Sequence, residues 1–155
     1  MEPIRAQGED YDWHALLLLI GQSYASMAGR IEPPSPIHRQ SVAEIARQAE
    51  TGEVWVLEQD SGPVACIFLA PHPDALYLSK IAVAAHWRNQ GLARMLVSHA
   101  ETRARAMGLP AIELESPIEM VENHATFTAL GFSQTGSTTH EDFDSPTSLT
   151  FRKTL

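Results

Sequence analysis

Ile81-Ala82-Val83-Ala84-Ala85-His86-Trp87-Arg88-Asn89-Gln90-Gly91-Leu92-Ala93-Arg94-Met95 is the stretch on which the reading of the fold turns. An apolar strand, 75–83, runs into a short polar loop, and the loop opens directly into a helix. Leu92, Met95, Leu96, Ala100, Ala104 and Met107 fall at spacings of three and four, while Arg94, Ser98, Glu101 and Arg105 point elsewhere. That pattern predicts an amphipathic helix, closed by Gly108 and Pro110. Gly91 and Ala93 keep side chains away from the helix start, so backbone N–H groups there stay accessible. Such groups have no intrahelical partners, and the helix dipole adds positive potential, so a phosphate docks well. Arg88 and Arg94 add charge to the same place. A simple strand–turn–helix junction would also explain a lone Gly-x-Ala. The G-x-G-x-x-G and G-K-[ST] patterns of other phosphate loops are absent.

Outward from this junction the elements alternate. Tyr11–Gly29 carries apolar residues at helical spacing (Leu16, Leu17, Ile20, Tyr24, Met27), with Asp10 and Asp12 as caps. The proline-dense segment Glu32-Pro33-Pro34-Ser35-Pro36 is a loop, and Val42, Ile45 and Ala46 share a face of a shorter helix ending near Thr51-Gly52. Glu53–Glu58 and Pro63–Ala70 flank Gln59-Asp60-Ser61-Gly62, a hairpin signal. Ala111–Ser116 reads as a strand and Val121–Leu130 as a helix stopped by Gly131; 132–136 and 148–154 read as closing strands. The expectation is an α/β fold: one mixed, mostly antiparallel sheet with helices on both faces.

Composition narrows the function. The 155 residues suit one domain spanning 1–155, and 44% hydrophobic against 19% charged residues excludes disorder. Ala15–Ile20 and Val64–Ala70 are the longest apolar runs, both too short to cross a bilayer, and the acidic first dozen residues do not resemble a leader peptide. A net charge of −8 argues against nucleic acid or an anionic membrane as partner. The one cysteine, Cys66, lies in an apolar run, reads as a core residue and suits a reducing cytoplasm. Gly21-Gln22-Ser23-Tyr24-Ala25 nearly matches a serine-hydrolase elbow, but it falls inside a helical pattern without the strand-to-helix turn that motif requires.

Two motifs resemble one family. Arg88-x-x-Gly91-x-Ala93 after a hydrophobic strand is similar to the pyrophosphate loop of the GNAT acyltransferase superfamily. Glu122-Asn123-His124-Ala125-Thr126-Phe127-Thr128-Ala129-Leu130-Gly131-Phe132 resembles that family's later motif, in which an Asn opens a helix ending in Leu-Gly-Phe. One helix and one strand separate the two, and the element order over the chain agrees. The resemblance implies an N-acetyltransferase with acetyl-coenzyme A as donor and no metal. It implies a pantetheine arm along Ile81, Ala82 and Val83, and a pyrophosphate held by Arg88, Asn89, Gln90, Gly91, Leu92 and Ala93. It implies Asn123 and Phe127 beside the thioester, in a cleft where strand 75–83 splays from strand 111–116. Homodimers are common in the family. Phe127 stands where many relatives carry a Tyr that protonates the departing thiolate, and a phenyl ring donates no proton. A thiol's pKa of about 8.5 makes that tolerable.

An alkylamine acceptor with a pKa of about 10.4 is only about one part in a thousand neutral at pH 7, so a base is useful. Ser79 occupies the strand position where some relatives place a glutamate. Glu115, which alternates off the apolar face of its strand, is the first candidate base; His140, in the polar connection 138–144, is the second. Tyr24, Met27 and Arg30 are expected to line the acceptor pocket, with Arg30 also suited to a substrate carboxylate. Between 113 and 144 lie seven acids and no Lys or Arg. That bias favours a cationic acceptor: a small-molecule amine or a peptide N-terminus. The rival reading is a coenzyme A-binding module without turnover, for which Phe127 would mark the lost chemistry.

Overall fold

The computed structural model describes residues 1–25, 29–33 and 40–155. Among these residues seven strands form one sheet in the order β1-β2-β3-β4-β5-β7-β6. They are β1 (Ile4–Arg5), β2 (Glu53–Gln59), β3 (Gly62–Pro71), β4 (Leu76–Val83), β5 (Ala111–Pro117), β6 (Ser133–Thr138) and β7 (Ser148–Thr154). The helices are α1 (Trp13–Tyr24), α2 (Val42–Thr51), α3 (Leu92–Ala106) and α4 (Val121–Ala129). The two-residue β1, which extends the sheet beside β2, carried no sequence signal.

β3 explains its own composition. Its run Val-Ala-Cys-Ile-Phe-Leu is apolar throughout because both faces are covered. Ala65, Ile67 and Leu69 join the core under α3, and Cys66 and Phe68 the core under α1 and α2. α3 buries Leu92, Leu96, Val97, Ala100 and Ala104. Met95, expected on that face, is exposed, and Val97 takes its place. At 3.6 residues per turn Met95 falls roughly 60° outside the arc from Leu92 to Val97. α1 ends at Tyr24 rather than Gly29, and 26–28, including Met27, lie outside the described residues.

Two irregularities set up the site. Among the described residues the only parallel pairing joins β4 to β5, and it holds for two residue pairs, Leu76↔Ile112 and Tyr77↔Glu113, before the strands part. Within β4, Lys80 and Ile81 together oppose Ile67, a bulge in which Lys80 takes φ 50°. A bulge reverses the alternation of faces. Leu76 and Leu78 face α3 before it, Ile81 and Val83 after it, and Ala82 packs toward α1.

Candidate active site

A cleft of about 730 Å³ occupies the gap where β4 and β5 part. Its walls are the end of β4 (Ser79 to Val83), the loop and first turn of α3, the end of β5 (Leu114 to Pro117), α4 and the last turn of α1.

The α3 end of the cleft leaves backbone N–H groups without a side-chain cap and places two arginines beside them. Gly91 is the N-cap of α3 at φ 80°, and Asn89 stands at φ 62°, so the loop uses two left-handed residues in three. Gly reaches this region freely and Asn more readily than most residues, and such turns aim successive N–H groups at one point. No side chain caps α3 and no acid stands in its first turn. The contrast with the helices on the other face is direct. Asp12 accepts a bond from Ala15 N at 3.0 Å on α1, and Ser41 one from Glu44 N at 3.2 Å on α2. Arg88 and Arg94 line the cleft, and neither forms an ion pair among the described residues.

α4 closes the opposite wall. It too lacks a side-chain N-cap, and Met120, Glu122, Asn123, Thr126 and Phe127 face the cleft. His124 Nε2 lies 2.9 Å from Pro117 O, which ties the helix to the end of β5. Phe127 packs on Phe132 and Phe151 at centroid distances of 5.9 and 5.8 Å. The ring is part of the apolar floor.

At the α1 side, Ser23 Oγ donates to Val83 O at 3.2 Å, so the serine considered for a hydrolase elbow pins α1 to β4. Tyr24 lines the cleft, and burial raises its pKa, so its hydroxyl stays a donor at working pH. Residues 29–33 form a strap fastened to the β5–α4 turn. Arg30 pairs with Glu122 at 2.9 Å, Glu32 N donates to Glu119 Oε2 at 3.2 Å, and Ile31 packs on Met120. Arg30 is absent from the cleft wall, and its guanidinium is engaged by Glu122 rather than free for a substrate carboxylate.

The two candidate bases part company. Glu115 lines the cleft, and its Oε1 accepts a bond from Thr138 Oγ1 at 3.3 Å. His140 does not line it, and its ring is held by the Thr147 hydroxyl. Gln90 is also absent from the wall, its side chain turned back to His86 O at 3.2 Å. Ile81, Ala82, Val83, Arg88, Asn89, Gly91, Leu92, Ala93, Asn123, Phe127 and Tyr24 are brought together there. The acidic stretch is partly neutralised by the fold, because Arg152 pairs with Glu113 at 3.1 Å and Arg30 with Glu122. Sequence reasoning also missed Lys80 and Ser116 in the wall. The bulge that positions Lys80 follows from strand pairing, and nothing in the local sequence announces it. Cys66 is buried, and burial pushes its thiol up to about 12, which suits a core residue and not a nucleophile.

The split strands and the uncapped helix agree with a comparison of sequences: residues 19–132 match the Acetyltransferase (GNAT) family. The chain belongs to that family. Beyond the family match, this GNAT chain is 27% identical over 112 residues to the probable N-acetyltransferase 14 of Danio rerio, covering 66% of the chain. It spans 40% of that relative's length. The PaiA N-acetyltransferase of Thermoplasma acidophilum, solved with coenzyme A, superposes with a TM-score of 0.80 at 15% identity, covering 100% of both chains. An acetyltransferase from Streptococcus agalactiae gives 0.76 at 21% identity, over 99% of this chain and 98% of that one. At these identities the structural likeness establishes the fold alone. Among the described residues no group of three His, Cys, Asp or Glu is placed to share a metal ion, and no helix is long and apolar enough to cross a membrane.

Proposed function

We propose that the chain transfers an acetyl group from acetyl-coenzyme A to a primary amine. The observation that carries this reading is one cleft joining an uncapped helix N-terminus, with two arginines that form no ion pair among the described residues, to the gap between two diverging strands. The pyrophosphate sits on the N–H groups after Asn89, beside Arg88 and Arg94. The pantetheine arm lies in the gap, its amides meeting the β4 edge that β5 has left unpaired. The Thermoplasma relative of the same fold was solved with coenzyme A, which supports coenzyme A as the ligand. Asn123 and Phe127 flank the thioester end.

The acceptor nitrogen attacks the thioester carbonyl directly, and the C–S bond breaks with its electron pair on sulfur. Glu115 accepts the amine's proton, directly or through water. It is the cleft-lining acid that no arginine neutralises. Two Arg partners elsewhere shrink the negative field read from the sequence, so preference for a cationic small-molecule amine or peptide N-terminus rests on Glu115 and not on the whole stretch.

Two measurements test the reading. Gly91→Glu puts a carboxylate against the pyrophosphate and should abolish coenzyme A binding by calorimetry; Gly91→Asn, which tolerates the left-handed backbone, should keep most of it. Thiol release from acetyl-coenzyme A across an amine panel should identify an acceptor. Glu115→Gln should then lower turnover about a hundredfold with coenzyme A affinity unchanged. Unchanged affinity in a folded Gly91→Glu protein would refute the cleft assignment.

A further inference from the structure

Ser116 is the unexplained polar group of the cleft wall. The residue is 2% exposed, and its Oγ meets no hydrogen-bond partner among the described residues. Gln40, His99 and Glu119 also carry a buried polar atom without a partner, but none of the three lines the cleft. An unmet buried hydroxyl is destabilising, so the arrangement calls for a partner that arrives with a ligand.

Its position says which part of the ligand. Ser116 follows Leu114 on one face of β5, with Leu149 as its cross-strand partner as Phe151 is that of Leu114. α4 crosses this end of the strand. His124 contacts Pro117 O, and Phe127, one turn later, packs on Phe151. The Ser116 side chain therefore lies under α4 between those two anchors, with Asn123 and Phe127 in the same wall. Phe127, in the same wall, carries no hydrogen-bond donor.

We infer that the Ser116 hydroxyl donates a hydrogen bond to the thioester sulfur and strengthens that bond as the thiolate departs. The inference rests on the cleft being an acetyl-coenzyme A site. The C–N bond forms as the C–S bond breaks, the amine's proton goes to Glu115 or water, and Ser116 keeps its own proton. A hydroxyl is too weak an acid to protonate a thiolate whose conjugate acid has a pKa of about 8.5. Donation to the charged form favours that form, and so lowers the pKa of the bound thiol.

The test titrates the thiol of bound coenzyme A by its ultraviolet thiolate absorbance, in the natural protein and in Ser116→Ala. The bound thiol should titrate below free coenzyme A in the natural protein, and about one unit higher than that in Ser116→Ala. With an acceptor from the panel, Ser116→Ala should lose about ten- to hundredfold in kcat with KM for acetyl-coenzyme A within about twofold. Ser116→Thr, which keeps the hydroxyl, should recover most of the loss. Equal thiol pKa values in the natural protein and Ser116→Ala would overturn the inference while leaving the site reading intact. Coenzyme A that fails to bind the natural protein would overturn both. If Ser116→Ala does not fold, the natural protein still decides, since an unshifted bound thiol overturns the proposal.

Discussion

The pair Glu53–Arg103, its carboxylate buried and its guanidinium part-exposed, shows how much one residue's setting governs. Arg103 donates to both carboxylate oxygens, at 2.8 and 2.7 Å, and Trp55 Nε1 adds a third bond at 2.9 Å. These donors, the Arg103 guanidinium foremost, hold the Glu53 carboxyl below its usual range despite burial. A depressed carboxyl stabilises the fold at pH values above its unfolded pKa of about 4.5. The stabilisation is lost as pH falls through the lower folded value. Arg103→Met strands the carboxylate and should cost about 2–3 kcal/mol at pH 7. Urea denaturation should show the gap to the natural protein closing as pH falls below about 4.5, because protonated Glu53 no longer needs the guanidinium. A gap that stays constant with pH would refute this account.

At the scale of elements, the helices divide by what covers their N-termini. α1 and α2 carry side-chain caps and lie on one face of the sheet; α3 and α4 lack them and open onto the cleft. A capping side chain on α3 would compete for the N–H groups that a phosphate needs. Asp12→Ala should cost about 1 kcal/mol in urea denaturation. It should leave coenzyme A affinity unchanged by calorimetry, because the α1 cap is not part of the cleft wall. A large loss of affinity would show that α1 and the site are coupled more tightly than their packing implies. The edge strand β6 follows a different logic. All six of its residues are exposed and polar or Gly, which makes its open edge a poor template for another apolar strand.

For the whole molecule, net charge and local charge oppose each other. The chain carries −8, while Arg88 and Arg94, which form no ion pair among the described residues, share the cleft wall with Glu115. An anionic donor and a cationic amine would each find a group of opposite charge there. Raising ionic strength from about 0.01 to 0.15 M shortens the Debye length from about 30 to 8 Å. Both coenzyme A affinity and the apparent KM for a cationic amine should therefore weaken several-fold over that range, read separately by calorimetry and steady-state kinetics. A neutral amine should show only the donor's share. Equal salt dependence for cationic and neutral acceptors would remove Glu115 from substrate attraction.

What the sequence determined by itself was local. The hairpin at 59–62, the α3 face from Leu92 to Ala104, the glycine at the start of α3 and the Asn123 helix each follow from periodicity, turn chemistry or missing side chains within a few neighbouring residues. Their order along the chain was enough to predict the mixed sheet with helices on both faces. The tertiary structure decided whatever depended on distant residues meeting. Arg152 neutralises Glu113 across 39 residues, and Arg30 reaches Glu122, so an acid run that reads as one-signed is not so in space. Gln90 and His140 turn away from the cleft because His86 O and Thr147 offer nearer partners. The Lys80 bulge exists only against β3, and Ser116 becomes a buried hydroxyl only once α4 lies across β5. Backbone propensity acts over a turn or two, whereas ion pairing and burial act through space, and the fold alone determines which residues are close.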